Sequence, residues 1–271
     1  MSHQALSHDT LHRRAPAIFA EAPELGVSAR YGFVPTIHVV EALEQEGWFP
    51  VHARQTRTQD PDRQPFARHL VRFRQDPARQ LTVGDSVAEL VLTNSHDRTA
   101  AFQLDLGLFR LVCGNGMVAP AAELGHLRVR HGRHIVEALL ENAVALVGQI
   151  PRIAERVDAF RSTLIGAREE QRFAEAALRL RYGEDWPRVS PVDPETVLEA
   201  RRLEDADGSL WAVFSRTQEN LLKGGLPGRS RSGRRTRTRA IRSVGEDVRL
   251  NRGLWDLTER FAEQRGVVLA A

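Results

Sequence analysis

The sequence predicts an α+β protein, with a mostly antiparallel sheet at about residues 48–130 followed by a helical C-terminal half. Three observations carry that expectation. Between Trp48 and Arg130 apolar and polar residues alternate over several short runs, the period of strands with one buried face. Turn-forming stretches at 59–65 (Gln-Asp-Pro-Asp-Arg-Gln-Pro), 94–98 (Asn-Ser-His-Asp-Arg) and 114–116 (Gly-Asn-Gly) cut this half into strand-sized pieces. After His134 the text turns to Ala, Leu, Glu and Arg with apolar residues at helical spacing. Strands first and helices afterwards make an α+β chain.

The elements follow in order. Residues 1–30 are mixed and poorly periodic, and read as an N-terminal arm with one short ordered piece. A single α+β domain is expected over 31–265, with order beginning near Tyr31. Thr36, after Pro35, is placed to cap a helix whose apolar face holds Ile37, Val40 and Ala42 or Leu43, and Gly47 ends it. Strands are expected from Trp48 to about Gln55, Arg68 to Arg74, Val87 to Thr93, Ala100 to Leu106, Leu108 to Cys113 and Leu127 to Arg130. Asn115-Gly116 suits a tight hairpin turn, which needs positive φ. A long helix or kinked pair then runs to about Arg181, interrupted only by Pro151 and Gly166. Asp193-Pro194 opens a helix to about Glu204, and two more cover Ser209 to Leu222 and Gly245 to Gln264.

At 271 residues and 42% hydrophobic content the chain can bury a real core. Its net charge is only +3 with a pI near 9.7, so attraction to a polyanion must come from local patches. One cysteine, Cys113, excludes an internal disulfide and reads as a buried structural thiol in a reducing compartment. No window approaches the roughly 20 apolar residues of a membrane span, and the N-terminus lacks a signal-peptide core. A cytoplasmic protein without a membrane partner is expected.

The densest feature is a basic loop at 224–245, with Arg229, Arg231, Arg234, Arg235, Arg237, Arg239 and Arg242 among Gly, Ser and Thr and no acid. Such a segment cannot bury itself, so it faces water or a polyanion. A guanidinium fork can hold one phosphate through two hydrogen bonds. The plain alternative is a solvated loop, since Lys223 is the only lysine among 38 Lys and Arg and arginine supplies positive charge everywhere. A second basic area spans Arg54, Gln55, Arg57, Arg68, His69, Arg72, Arg74 and Arg79, with binding expected at Arg54, Arg68, Arg72 and Arg74. The last three share strand parity, so they would project from one face. Together with the loop they would make a groove for a nucleic-acid backbone, the alternative being an ordinary exposed face.

Several stretches have the look of a set: Val34-Pro-Thr-Ile, Ala53-Arg-Gln-Thr-Arg, His69-Leu-Val-Arg, Leu92-Thr-Asn-Ser-His-Asp, Phe109-Arg-Leu-Val-Cys-Gly-Asn-Gly-Met and Val129-Arg-His. Arg216-Thr-Gln-Glu-Asn-Leu-Leu-Lys-Gly-Gly, Arg234-Arg-Thr-Arg-Thr-Arg-Ala and Val248-Arg-Leu-Asn-Arg-Gly-Leu-Trp complete it. In this order, over roughly residues 30–262, the chain resembles the phage/plasmid-like proteins grouped as domain of unknown function 932. The resemblance implies a cytoplasmic protein of a plasmid, prophage or conjugative element, a setting that favours DNA transactions. A hairpin sheet followed by a long helix also resembles the core of single-strand annealing proteins, which implies a homo-oligomer.

Chemistry-bearing sets are sparse. Ser95, His96 and Asp97 contain the residue types of a catalytic triad, but consecutive residues cannot line up as a hydrogen-bonded relay. With Asn94 they read as a polar turn between strands. His126, His131 and His134 fit no zinc spacing, and no phosphate-binding glycine loop occurs, so no metal or other cofactor is expected. Few aromatics lie near loops: Tyr31, Phe33, Trp48 and Phe66. The expectation is a non-enzymatic, sequence-independent DNA-binding protein, with single-strand binding or annealing as one form. The alternative is a protein-interaction factor acting on a host defence or repair protein through its arginine loop. An enzyme using Glu89, Asp97 and Asp105 lacks a paired-carboxylate geometry in the sequence.

Overall fold

The computed structural model describes residues 5–26, 33–83, 86–100, 102–110, 116–118 and 135–269. Tyr31, Cys113, Asn115, the expected strand from Leu127 to Arg130 and His126, His131 and His134 lie outside them. The chain divides into two compact units, residues 1–150 with 243–245, and 151–242 with 246–271.

In the first unit, α1 (His8–Arg14) starts at Ser7, whose hydroxyl accepts the Thr10 amide. A 3₁₀ turn follows at Pro16–Phe19, then α2 (Thr36–Gln45). The sheet comprises β1 (Trp48–Gln55), β2 (His69–Gln75), β3 (Thr82–Val83), β4 (Ser86–Asn94), β5 (Gln103–Arg110) and β6 (Gly116–Val118). Its order is β1-β2-β4-β5-β6, with β3 pairing β4, and every pairing is antiparallel. The register puts Val71, Phe73, Leu90, Leu92, Leu104 and Leu106 on one face. All are buried, as are Val39, Val40 and Leu43 of α2. Val39, in place of the expected Ile37, completes that helix's buried stripe.

Two expected strands merge into β5. Gly107 pairs Glu89 and Leu108 pairs Ala88 with no shift, so β4 templates one continuous eight-residue partner. The expected capping role of Thr36 is also corrected: α2 is preceded by Pro35 without a side-chain cap, and the Thr36 hydroxyl is spent elsewhere.

The helical half holds more breaks than its periodicity suggests. α3 (Ile135–Val147), α4 (Ile150–Ser162) and α5 (Ala167–Tyr182) replace the expected long helix or pair. Pro151 sits in the first turn of α4, where its missing N–H costs nothing. Before α5 the chain leaves helical geometry to bond Gly208 and Leu210 through Ile165 and Thr163. After α6 (Trp186–Val189), α7 (Pro194–Leu198) ends well short of Glu204, because the Asn220 amide captures the carbonyls of Val197 and Glu199, both at 2.8 Å. α8 (Leu210–Lys223) and α9 (Val244–Gln264) match expectation closely. Their core is aromatic, with Trp255 edge-on to Phe160 and Phe214 at 5.4 and 6.4 Å between ring centroids. No helix among the described residues is long and apolar enough to cross a membrane.

Candidate nucleic-acid interface

The arginine segment is not a bare loop. It folds into a two-stranded antiparallel ribbon, β7 (Pro227–Arg229) and β8 (Arg235–Arg237), closed by a turn in which Gly233 takes φ +78°. The ribbon has no apolar face, so its stability comes from its base. There the Gly225 amide bonds the Thr238 carbonyl at 2.8 Å, Thr238 returns a bond to Leu226, and Leu226 and Ile241 are buried. Gly224 ends α8 at φ +61°, packed so closely on Thr238, Arg239 and Ala240 that no larger residue fits. Arg201 holds the Gly224 carbonyl at 2.6 Å and the Asn220 side chain at 2.6 Å, tying the ribbon to the end of α8.

All seven arginines are exposed. Among the described residues no carboxylate lies within ion-pair reach of any of them. Arg229 donates to the Gly233 carbonyl at 3.2 Å and Arg237 to the Gly225 carbonyl at 2.7 Å. The register sets Arg229 directly opposite Arg235, a like-charged cross-strand pair that works against the ribbon. A bound anion between them would relieve that repulsion.

One side of the ribbon closes a cleft of about 1100 Å³ against residues 186–196. The Arg229 amide bonds the Pro191 carbonyl at 2.8 Å, and Gly228 lies so close to that carbonyl that a methyl group would collide with it. Arg188, Arg229, Arg231, Arg235 and Arg237 line the cleft with the half-buried Trp186. The lining holds one carboxylate, Asp193, which is occupied in capping α7 through the Thr196 amide at 2.8 Å. Hydrogen bonds from the Thr196 side chain and amide hold its carboxyl below the usual range.

The sheet arginines are placed differently. Arg72 and Arg74 do share a face, but both bind Glu89, which is fully buried: Arg72 Nε lies 2.6 Å from Oε2, and Arg74 grips Oε1. The Arg72 guanidinium also lies 3.3 Å over the Phe109 ring. Arg68 precedes β2 and donates to the Thr99 carbonyl, while Arg54 is half-buried on β1. These four belong to the first unit and the ribbon arginines to the second.

Asn94, Ser95 and His96 are buried at the end of β4. Thr36 Oγ1 lies 2.9 Å from His69 Nε2, 3.3 Å from His96 Nε2 and 3.0 Å from Asn94 Nδ2. His69 Nδ1 faces the Ala67 carbonyl at 3.0 Å, which can only accept, so Nδ1 carries the proton and Nε2 accepts from the Thr36 hydroxyl. The Thr36 oxygen then accepts from Asn94 and from His96. Burial, and then the adjacent His96, push the His69 imidazole down to about 3. Ser95 bonds the Ala100 backbone and Asp97, Asp97 also holds the Thr99 amide and hydroxyl, and the His96 ring faces Thr36, so the three side chains form no serine–histidine–aspartate relay. The turn is a knot that joins α2, β2 and β4.

The α8 motif is likewise internal. Arg216 pairs with Glu170 at 2.8 Å, Gln218 donates to Asn251 at 2.6 Å, and Glu219 takes Arg202 and Lys223. Burial alone would raise Glu219, but the hydrogen bonds from Arg202 and Lys223 outweigh it and hold the carboxyl below its ordinary value. No group of three or more His, Cys, Asp or Glu side chains among the described residues is arranged to hold a metal.

Sequence reasoning missed Trp186. It stands beside Pro187 in a turn-rich stretch after Gly183, a signal for a loop-borne aromatic, but its surroundings are assembled by a ribbon some 40 residues later.

Comparison with known proteins agrees with the motifs. The family model described as "Domain of unknown function (DUF932)" matches residues 25–255. Two proteins of Escherichia coli (strain K12), "UPF0380 protein YfjQ" and "UPF0380 protein YafZ", are each 40% identical over 259 residues, covering 96% of this chain and 92% of the relative. No solved structure matches. With a model match over most of its length and relatives at this identity, the chain belongs to the DUF932 family.

Proposed function

We propose that this protein is a non-enzymatic, sequence-independent DNA-binding protein, and that the β7–β8 ribbon and its cleft hold the phosphate backbone. The observation that carries this reading is the facing pair Arg229 and Arg235 in a ribbon whose strands and turn hold five exposed arginines, with Arg239 and Arg242 just beyond it and no acid in ion-pair reach among the described residues. Folded proteins seldom hold so much like charge on so small an element unless an anion offsets it. A backbone contact reads no base, which makes the binding indifferent to sequence. A place in a plasmid or prophage is part of the proposal and rests on the motif resemblance alone.

Changing Arg234, Arg235, Arg237 and Arg239 together to serine tests it by fluorescence anisotropy against labelled DNA over a range of salt. The expected result is a large loss of affinity and a salt slope shallower by about 3, since each phosphate contact contributes roughly 0.7–0.9. Unchanged affinity, with an unchanged melting temperature, would overturn the reading.

A further inference from the structure

We infer that the cleft beside the ribbon takes a single strand of nucleic acid, with one base laid against Trp186 and its phosphates on Arg188, Arg229, Arg235 and Arg237. The inference deepens the reading above and rests on it. The cleft joins two chemistries that a nucleic-acid strand combines in every repeat: a row of guanidiniums on the ribbon wall for its phosphates and an aromatic residue on the facing wall for a base. At about 1100 Å³ it stands at the upper end of the range of ligand clefts, with room for an extended ligand. A tryptophan adds nothing for a duplex, whose base faces are hidden in the stack. For an unstacked strand it supplies a platform that any base can use.

The cleft is also preformed. The bond from Arg229 to Pro191 and the bare contact at Gly228 fix the ribbon against the opposite wall, and the Asp193 cap fixes the start of α7. The two walls that carry the arginines and the tryptophan are therefore set against each other before any ligand arrives, which lowers the ordering cost of binding.

Trp186 reports on its own site. The other three tryptophans, Trp48, Trp211 and Trp255, are only 5%, 5% and 1% exposed. Titrating the full chain with an oligothymidylate should quench tryptophan fluorescence, and W186F should abolish most of that change. W186A should weaken oligothymidylate binding by roughly 5- to 150-fold, the span expected for one stacked base, and leave duplex affinity unaltered. An oligouridylate of the same length shows whether DNA or RNA is the better source of the strand, and tight binding of either supports the inference. Equal affinity for single strand and duplex with no effect of W186A would overturn it while leaving backbone binding intact. Equal losses on both ligands would also overturn it, by marking Trp186 as a structural support. Failure of every nucleic acid to bind at low salt removes both readings together.

Discussion

Glu89 shows how one carboxylate decides what two arginines can do. Arg72 and Arg74 look like an exposed basic stripe in the sequence because strand parity fixes which face they share, but parity says nothing of what lies on the neighbouring strand. The β2–β4 register sets Glu89 beside both, and their charge is answered inside the protein. Removing one partner of a buried cluster strands the others, so Glu89→Leu should destabilise the first unit by about 3–5 kcal/mol. Chemical denaturation measures this, and a loss below about 1 kcal/mol would mean that water already screens the cluster. Thr36 carries the same lesson. A threonine after proline reads as a cap, yet His69 of β2, Asn94 of β4 and His96 just after it claim its hydroxyl.

Among elements, those defined by their own periodicity were legible in the sequence. The residues that start and end β1 follow from its alternation and flanking turns, and α8 and α9 follow from their apolar stripes and the Ser209 cap. Elements set by distant partners were not legible: α7 is cut short by Asn220, and β5 is drawn out by β4. The ribbon was read as a loop because its residues carry no apolar alternation; its ladder depends on anchors at α8 and at Pro191. Gly228→Ala tests that dependence. The added methyl meets the Pro191 carbonyl, so the ribbon must shift away and the cleft opens. Oligonucleotide affinity should fall several-fold while the melting temperature moves by no more than a few degrees. Full retention of affinity would show that docking on Pro191 is dispensable.

For the whole molecule, acidity is a threat to the fold through two histidines. Burial, then Arg72, Arg54 and Arg14, push His52 down to about 3, and His69 stands equally low. Below their ordinary value of 6.5 the unfolded chain takes up a proton at each imidazole that the folded chain refuses. Stability therefore falls as pH drops from 6.5 towards 3, by about 1.4 kcal/mol per pH unit for each histidine. Denaturation at pH 7, 6 and 5 should show this loss, and H69Q should make the profile shallower. A flat profile would place both imidazoles in contact with water.

The outer edge of β8 pairs with nothing in the ribbon and lies open to solvent. Open edges invite a second copy of the same strand to add on, the first step towards aggregation. Arg235 and Arg237, both exposed, load β8 with like charge beside that edge, so two such strands repel on approach. The charge that would welcome a phosphate chain thus also keeps copies of the protein from zipping together, and a chain stripped of it loses a safeguard as well as a ligand.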